Sequence, residues 1–337
     1  MGAFKVRGRT LGGRRHYRRP PSKNFHQSAA HHRLPLLVSA PSPASRAARQ
    51  SYNPALMFSD LRTVEIFAIG NELLAGQVLD TNTHWLIRMV TSAGARVMRT
   101  AMLRDDYNQI GEELRAALQR GPRLILTTGG LGPTEDDLTL RAIARALNLP
   151  LAIHPEALEM VRQRYAHLAK IRPNYSAELN DARRKMALFP HGAIPIANPR
   201  GTAPAMVLDV PSQHADGITT IAALPGVPTE MEAIFTTSLR PILEKAIGAG
   251  CYVEHTIVLD KGDESRIADL LRTVQEHHPA VYVKSRGQWL DDGLRLTVVL
   301  SISGLNPDAV LEEIRRTEQE AIAGLTQLGY TILRILE

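Results

Sequence analysis

Two apolar runs in this 337-residue chain pass directly into glycine-bearing turns that lead into helix-like sequence: VEIFAIGNELLAGQVLDTN, residues 64–82, and LILTTGGLGPTEDDLT, residues 124–139. A buried strand followed by a turn and an amphipathic helix is the repeating unit of a parallel sheet with helices on its faces. Ligands of such sheets collect where strands end, and glycine lets the backbone approach an anion or adopt positive φ. The acids Glu135, Asp136 and Asp137 behind the second turn would repel a phosphate unless a cation sits between. Their bland alternative is a helix start, since acids in a first turn complement the helix dipole.

The same alternation continues along the chain. DTNTHWLIRMVTSAG reads as a helix capped near Asp80 and stopped by Gly94, RVMRTAML as a strand, and DYNQIGEELRAALQRG as a helix with Ile110, Leu114, Ala117 and Leu118 on one face. DDLTLRAIARALN predicts a helix whose first turn holds the three acids. HPEALEMVRQRYAHLAK is a further helix, IRPNYSAELNDARRKM is irregular, and short strands follow at MALFP, AMVLDV and TTIAAL. PTEMEAIFTTSLRPILEKAIG reads as one helix with Pro228 near its first position. Beyond Cys251 the order is β, α, β, β, α, a small two-layer α+β domain in which His277 and His278 read as a solvated pair at a helix end. The expected boundaries are 1–60 for a disordered basic extension, 62–249 for the α/β domain and 251–337 for the second domain.

The formal charge of +6 resides in the first segment. Residues 1–60 carry eleven Lys/Arg and one acid, whereas the remainder carries 29 basic and 33 acidic residues. The domains are thus mildly acidic, which argues against a nucleic-acid surface on them. The segment itself, Arg-, Pro- and Ser-rich without periodicity, reads as an arm or transit peptide or, preferably, as an extension without a role ahead of Met57. One cysteine excludes an internal disulfide and fits a reducing, cytoplasmic compartment. No apolar run reaches the ~18 residues of a membrane span.

GNELLAGQVLDTN, TTGGLGPTEDDLT, NPRGTAPAM and LPGVPTEM, in this order, resemble the N-terminal domain of the competence/damage-inducible protein CinA family. That domain is similar to the molybdopterin-binding domains of molybdenum-cofactor (MoCF) biosynthesis. The second domain resembles the KH-like domain of CinA, and the nicotinamide mononucleotide deamidase domain of full-length members has no counterpart in these residues. The resemblance implies a three-layer α/β fold around a mostly parallel sheet. It also implies metal-dependent hydrolysis of a nucleotide pyrophosphate such as ADP-ribose, with a non-catalytic molybdopterin- or nucleotide-binding module as the alternative. Many relatives have Asp where this chain has Asn71, and the molybdopterin enzymes have Arg at the position of Asp136.

Backbone amides of Gly129, Gly130 and Gly132 are expected to hold a phosphate. Glu72, Asp80 and Asp137 are the expected ligands of a divalent ion (Mg, Mn or Co), with potassium as a further candidate. Asp137 and Asp136 are the expected catalytic acids. The remaining substrate contacts are assigned to Gly70, Asn71, Asn82, Thr134 and Gly226, and Asn180, Arg183, Arg184 and Lys185 are weaker phosphate candidates. The expected partner is a nucleotide or pterin, with neither membrane nor nucleic acid, and self-association stays open. The absence of GK[ST] and of GxGxxG excludes a P-loop and leaves a Rossmann loop unsupported.

Overall fold

The computed structural model describes residues 62–212, 217–260, 262–290 and 293–337. The basic extension expected over 1–60 lies outside the described residues. The chain enters through strand β1 (Thr63–Ile69), short helix α1 (Asn71–Leu74), helix α2 (Thr81–Ser92), strand β2 (Arg96–Leu103), helix α3 (Tyr107–Arg120) and strand β3 (Leu124–Thr128). Helix α4 (Thr139–Ala146), strand β4 (Leu151–Ile153), helix α5 (Pro155–Ile171), short helix α6 (Asp181–Lys185) and strands β5 (Leu188–Pro190), β6 (Ile194–Ile196), β7 (Ala205–Pro211) and β8 (Ile218–Leu224) follow.

Strands β2-β1-β3-β8-β7-β6 form a six-stranded sheet, in that order. The pairs β1/β2, β1/β3 and β3/β8 are parallel, and β7/β8 and β6/β7 antiparallel. Alternation along each strand feeds two cores. Ile66, Leu124 and Leu126 point to the side of Leu86 and Val90 of α2, while Phe67 and Ile125 point to the side of Ile110 and Leu114 of α3 and Ile143 of α4. Helices therefore cover both faces, the three-layer α/β arrangement expected from buried strands. Asp80 caps α2 by accepting from Thr83 N at 2.9 Å, and Gly121 ends α3 in the left-handed region at φ 68°.

Two readings are corrected here. The segment 228–247 is not one regular helix: α7 (Pro228–Ile234) passes through a π-type turn at Phe235–Leu239 into α8 (Arg240–Ile247), with Pro241 just inside the second piece. A proline cannot donate to the preceding turn, so the ladder widens ahead of it. The irregular stretch before Met186 contains α6, capped by Asn180 Oδ1 on Arg183 N at 3.0 Å.

One ion network braces the first sheet. Glu65, 2% exposed, accepts from Arg120 Nε at 2.7 Å and Nη2 at 2.6 Å, and Glu113 joins Arg120 to Arg99. Burial alone would raise the Glu113 carboxyl, but hydrogen bonds from Arg120 and Arg99 outweigh it and hold it below the ordinary range. A depressed folded pKa contributes stability above the unfolded value of about 4.3, and that stability is lost as pH falls through the folded value. Glu113→Gln should accordingly melt lower than the parent at pH 7 and show a shallower loss of melting temperature between about pH 5 and pH 3. Parallel slopes for the two proteins would remove Glu113 from the acid limb.

The second sheet, in the order β10-β11-β9-β12, is antiparallel. Its strands β9 (Cys251–Leu259), β10 (Tyr282–Leu290), β11 (Gly293–Gly304) and β12 (Ile332–Leu336) are covered on one face by helices α9 (Ala268–His277) and α10 (Pro307–Gln327). The expected order β, α, β, β, α holds, with β12 added at the end. Of the His pair expected to be solvated, His277 is, with its side chain 59% exposed, and His278 is not. The side chain of His278 is 12% exposed and bonded through Nδ1 to Glu313 at 2.9 Å and through Nε2 to Glu320 at 3.1 Å, while His277 reaches Glu320 at 2.7 Å. The contacts that bury it come from α10, far along the chain, where local pattern cannot reach.

Candidate functional site

The parallel strands β1, β2, β3 and β8 end at one edge of the sheet, and the residues just past their ends line a single cleft of about 570 Å³. β1 supplies Gly70 and Glu72, β2 supplies Asp105, β3 supplies Gly129 to Pro133 with Asp136 and Asp137, and β8 supplies Pro225 to Pro228. Thr202 and Ala203 of the NPRGTAP loop and Glu230 of α7 complete the wall. Convergence of strand ends where the order departs from sequence order is where open α/β sheets bind ligands. A larger hollow of about 780 Å³ lies between α2 and the second sheet, but it is lined by no glycine, and its acids Glu254 and Glu337 are accompanied by Arg88 and Arg286.

The turn after β3 is held from three sides. Gly129 N donates to Leu224 O at 2.9 Å, Thr139 Oγ1 to Gly129 O at 2.8 Å and Thr139 N to Gly130 O at 3.2 Å. Gly129 has φ 106°, and a Cβ on it would lie 2.0 Å from Ile69 O. The expectation for Gly129 as an amide donor is thereby corrected: its N–H is spent on β8, and its contribution is the missing side chain. The N–H groups of Gly130, Leu131 and Gly132 have no partner among the described residues. Free consecutive amides of this kind form an anion-binding concavity.

The acids do not start a helix. Helix α4 begins at Thr139 with no acid in its first turn and no side-chain cap. Instead Asp137 Oδ2 accepts from Thr134 N at 2.8 Å, and Thr134 Oγ1 lies 2.6 Å from it and 2.5 Å from Asp136 Oδ1, so that the hydroxyl can serve either carboxylate. The Thr134 hydrogen bond holds Asp136 below the ordinary carboxylate range. Lys185 reaches over from α6 to donate to Gly132 O at 3.4 Å and to Thr134 O. Burial pushes its ammonium down, while Asp137 pulls the other way. Of the four basic or amide candidates in NDARRKM, Lys185 touches the turn. Asn180 caps α6, and Arg183 lies 3.7 Å from the Tyr165 ring centre.

Asp105 went unassigned in the sequence. It stands two residues past β2, in the same strand-end position as the residues that were singled out, and its glycine-free context hid it. Its Oδ2 accepts from Asn71 N at 2.9 Å. Burial raises its carboxyl, and nearby Glu72, Asp136 and Asp137 add to that against the Asn71 bond. Glu230, also unassigned, accepts from Asn198 Nδ2 at 2.8 Å and so ties the NPRGTAP loop to the end of β8.

The expected ligand trio is not brought together as a group. Among the described residues no three His, Cys, Asp or Glu side chains form a set that holds a metal by itself. Glu72 and Asp137 line the cleft, but Asp80 lies beside a smaller hollow of about 80 Å³ with Asn82, Thr128 and Gly226. Asn82 Nδ2 donates to Thr128 Oγ1 at 2.9 Å and to Gly226 O at 2.8 Å, clamping β3 to β8. Asp80 Oδ2 and Asn82 Oδ1 are buried without a hydrogen-bond partner. The acidic donors of the cleft are all oxygens, the kind a hard cation takes, and Asp105 is raised by burial first and by Glu72, Asp136 and Asp137 after it.

Residues 65–245 match the family described as a probable molybdopterin binding domain. A protein of Aeropyrum pernix is 39% identical over 271 residues, covering 79% of this chain and 95% of its own. The crystal structure of the protein CinA from Thermoplasma acidophilum, whose function is given as unknown, is 34% identical, with 54% of this chain and 99% of that chain covered and a TM-score of 0.48. The molybdopterin biosynthesis enzyme MoaB of Thermus thermophilus is 20% identical, with 56% and 94% covered and a TM-score of 0.35. No helix among the described residues is long and apolar enough to cross a membrane. This chain belongs to the family described as a probable molybdopterin binding domain.

Proposed function

We propose that the chain hydrolyses a nucleotide pyrophosphate of the ADP-ribose type with the help of a divalent cation. The observation that carries this is the free amide run Gly130 to Gly132 facing a cleft that also holds Glu72, Asp105, Asp136 and Asp137. The amides take phosphate oxygens, and Lys185 keeps the turn's carbonyls turned away from them. Glu72, Asp105 and Asp137 are the residues that would hold the cation, whose charge offsets the repulsion between carboxylates and phosphates when it is bound. Asp105 holds Asn71 through Oδ2, which would leave Oδ1 for the cation. Asp136, held by Thr134, keeps its charge at the outer lip.

A second reading is a nucleotide- or pterin-binding module without turnover. It is favoured by the engagement of Asp137 with Thr134 and by the uncharged Asn71 at the β1 end. Incubation of ADP-ribose, FAD, NAD and CoA with Mg, Mn or Co ions, with and without potassium, separates the two. The hydrolase reading expects cation-dependent AMP release from ADP-ribose. Tight binding of the same compounds with no AMP above the enzyme-free blank would favour the module.

A further inference from the structure

The segment between β1 and α2 carries an apolar shelf beside the cleft. It is pinned at one end by Gly70 N on Leu103 O at 3.0 Å and at the other by the Asp80 cap on Thr83 N at 2.9 Å. Between those points it closes on itself, with Gly76 N on Leu73 O at 3.1 Å and Gln77 N on Glu72 O at 3.0 Å. The consequence is that none of α1 is buried, and Leu74, Val78 and Leu79 are 43%, 52% and 82% exposed. Such exposure is unusual for side chains on a well-tied segment beside a ligand cleft.

The shelf is continuous with the cleft. Leu73, Val78 and Leu79 line the small hollow of about 80 Å³, and its other walls include Ile69, Glu72, Gly226 and Pro228, all four of which also wall the 570 Å³ cleft. Val227, 52% exposed, lines the cleft and stands between Gly226 and Pro228 in sequence. A ligand with its phosphates on the Gly130–Gly132 amides that extended past Glu72 would meet the apolar surface of Val78 and Leu79, with Asp80, Thr81, Asn82 and Thr128 in the rest of the hollow's lining. A flat heterocycle buries that surface, and a sugar hydroxyl or a second phosphate does not. A second copy of the chain is the poorer occupant, because the few side chains concerned fall far short of the roughly 800 Å² per partner that a stable interface takes.

We infer that Val78 and Leu79, with Val227, form the nucleobase subsite of this cleft and so set its preference for nucleoside-linked over plain pyrophosphates. The inference rests on the pyrophosphate reading and deepens it. The test is calorimetry in the presence of magnesium, with inorganic pyrophosphate and ADP as the two ligands, on the parent, Val78→Ser and Leu79→Ser. Both positions are exposed, so both variants should fold.

The parent should bind ADP at least about tenfold more tightly than pyrophosphate. Each variant should lose about five- to tenfold of that margin, as removal of one or two buried CH₂ equivalents entails, with pyrophosphate binding unchanged. An ADP margin that survives both substitutions overturns the subsite while leaving the phosphate reading intact. So does a Leu79→Ser protein that sediments as a smaller species than the parent with unaltered ligand binding, which would assign the shelf to a second copy. Failure of the parent to bind either ligand would overturn the subsite and the pyrophosphate reading together.

Discussion

Gly129→Ala should leave little folded protein, with a stability loss of at least about 3 kcal/mol, in the range reserved for strained backbone combined with a core clash. A Cβ there would sit 2.0 Å from Ile69 O, well inside contact, and the backbone has no direction in which to yield. Gly129 N is bonded to Leu224 O, and Gly129 O accepts from Thr139 Oγ1. The added methyl must push β1 from β3 or break the link to β8. Gly76→Ala is the matched control. It has φ 68° but nothing within 4 Å of the new Cβ, so it should cost about 1 to 2 kcal/mol, the left-handed penalty alone. Equal losses in chemical denaturation for the two variants would show that the clash contributes nothing.

Asp137→Asn should lower AMP release from ADP-ribose at least about tenfold at saturating magnesium, the lower end of what changes at metal sites cost. The structure sharpens this expectation, because α4 begins two residues later and Asp137 makes no contribution to its first turn. The carboxylate does hold the loop, through Thr134 N and Oγ1. Asparagine keeps an acceptor for Thr134 N, and its amide can donate to the hydroxyl, so the turn should persist with a stability change within about 1 kcal/mol. What the substitution removes is the charge. Asp137→Ala, which removes the acceptor as well, should lose both turnover and melting temperature. If Asp137→Asn turns over as the parent does, the residue only braces Thr134, and the cation falls to Glu72 and Asp105.

The sequence by itself determined the layered α/β class of the first domain, the β, α, β, β, α order of the second and which strand ends carry glycine. Buried strands such as TVEIFAI and LILTT, joined through capped amphipathic helices, have few ways to bury two faces, and a helix crossover returns the chain to start the next strand in the same direction, which gives a mostly parallel layered sheet. Glycine at strand ends marked the cleft because its absent side chain is a local property, readable one residue at a time. The tertiary structure alone decided how those residues are used. Gly129 N–H is taken by β8, Asp80 and Asn82 face a hollow apart from Asp137, and the acids of TTGGLGPTEDDLT brace a turn ahead of the helix. Asp105 joined the site because β2 pairs with β1, and Lys185 because α6 folds back over the turn, across 53 residues of chain from Gly132. Hydrogen-bond partners across strands depend on register and on which ends meet, and no local period encodes either.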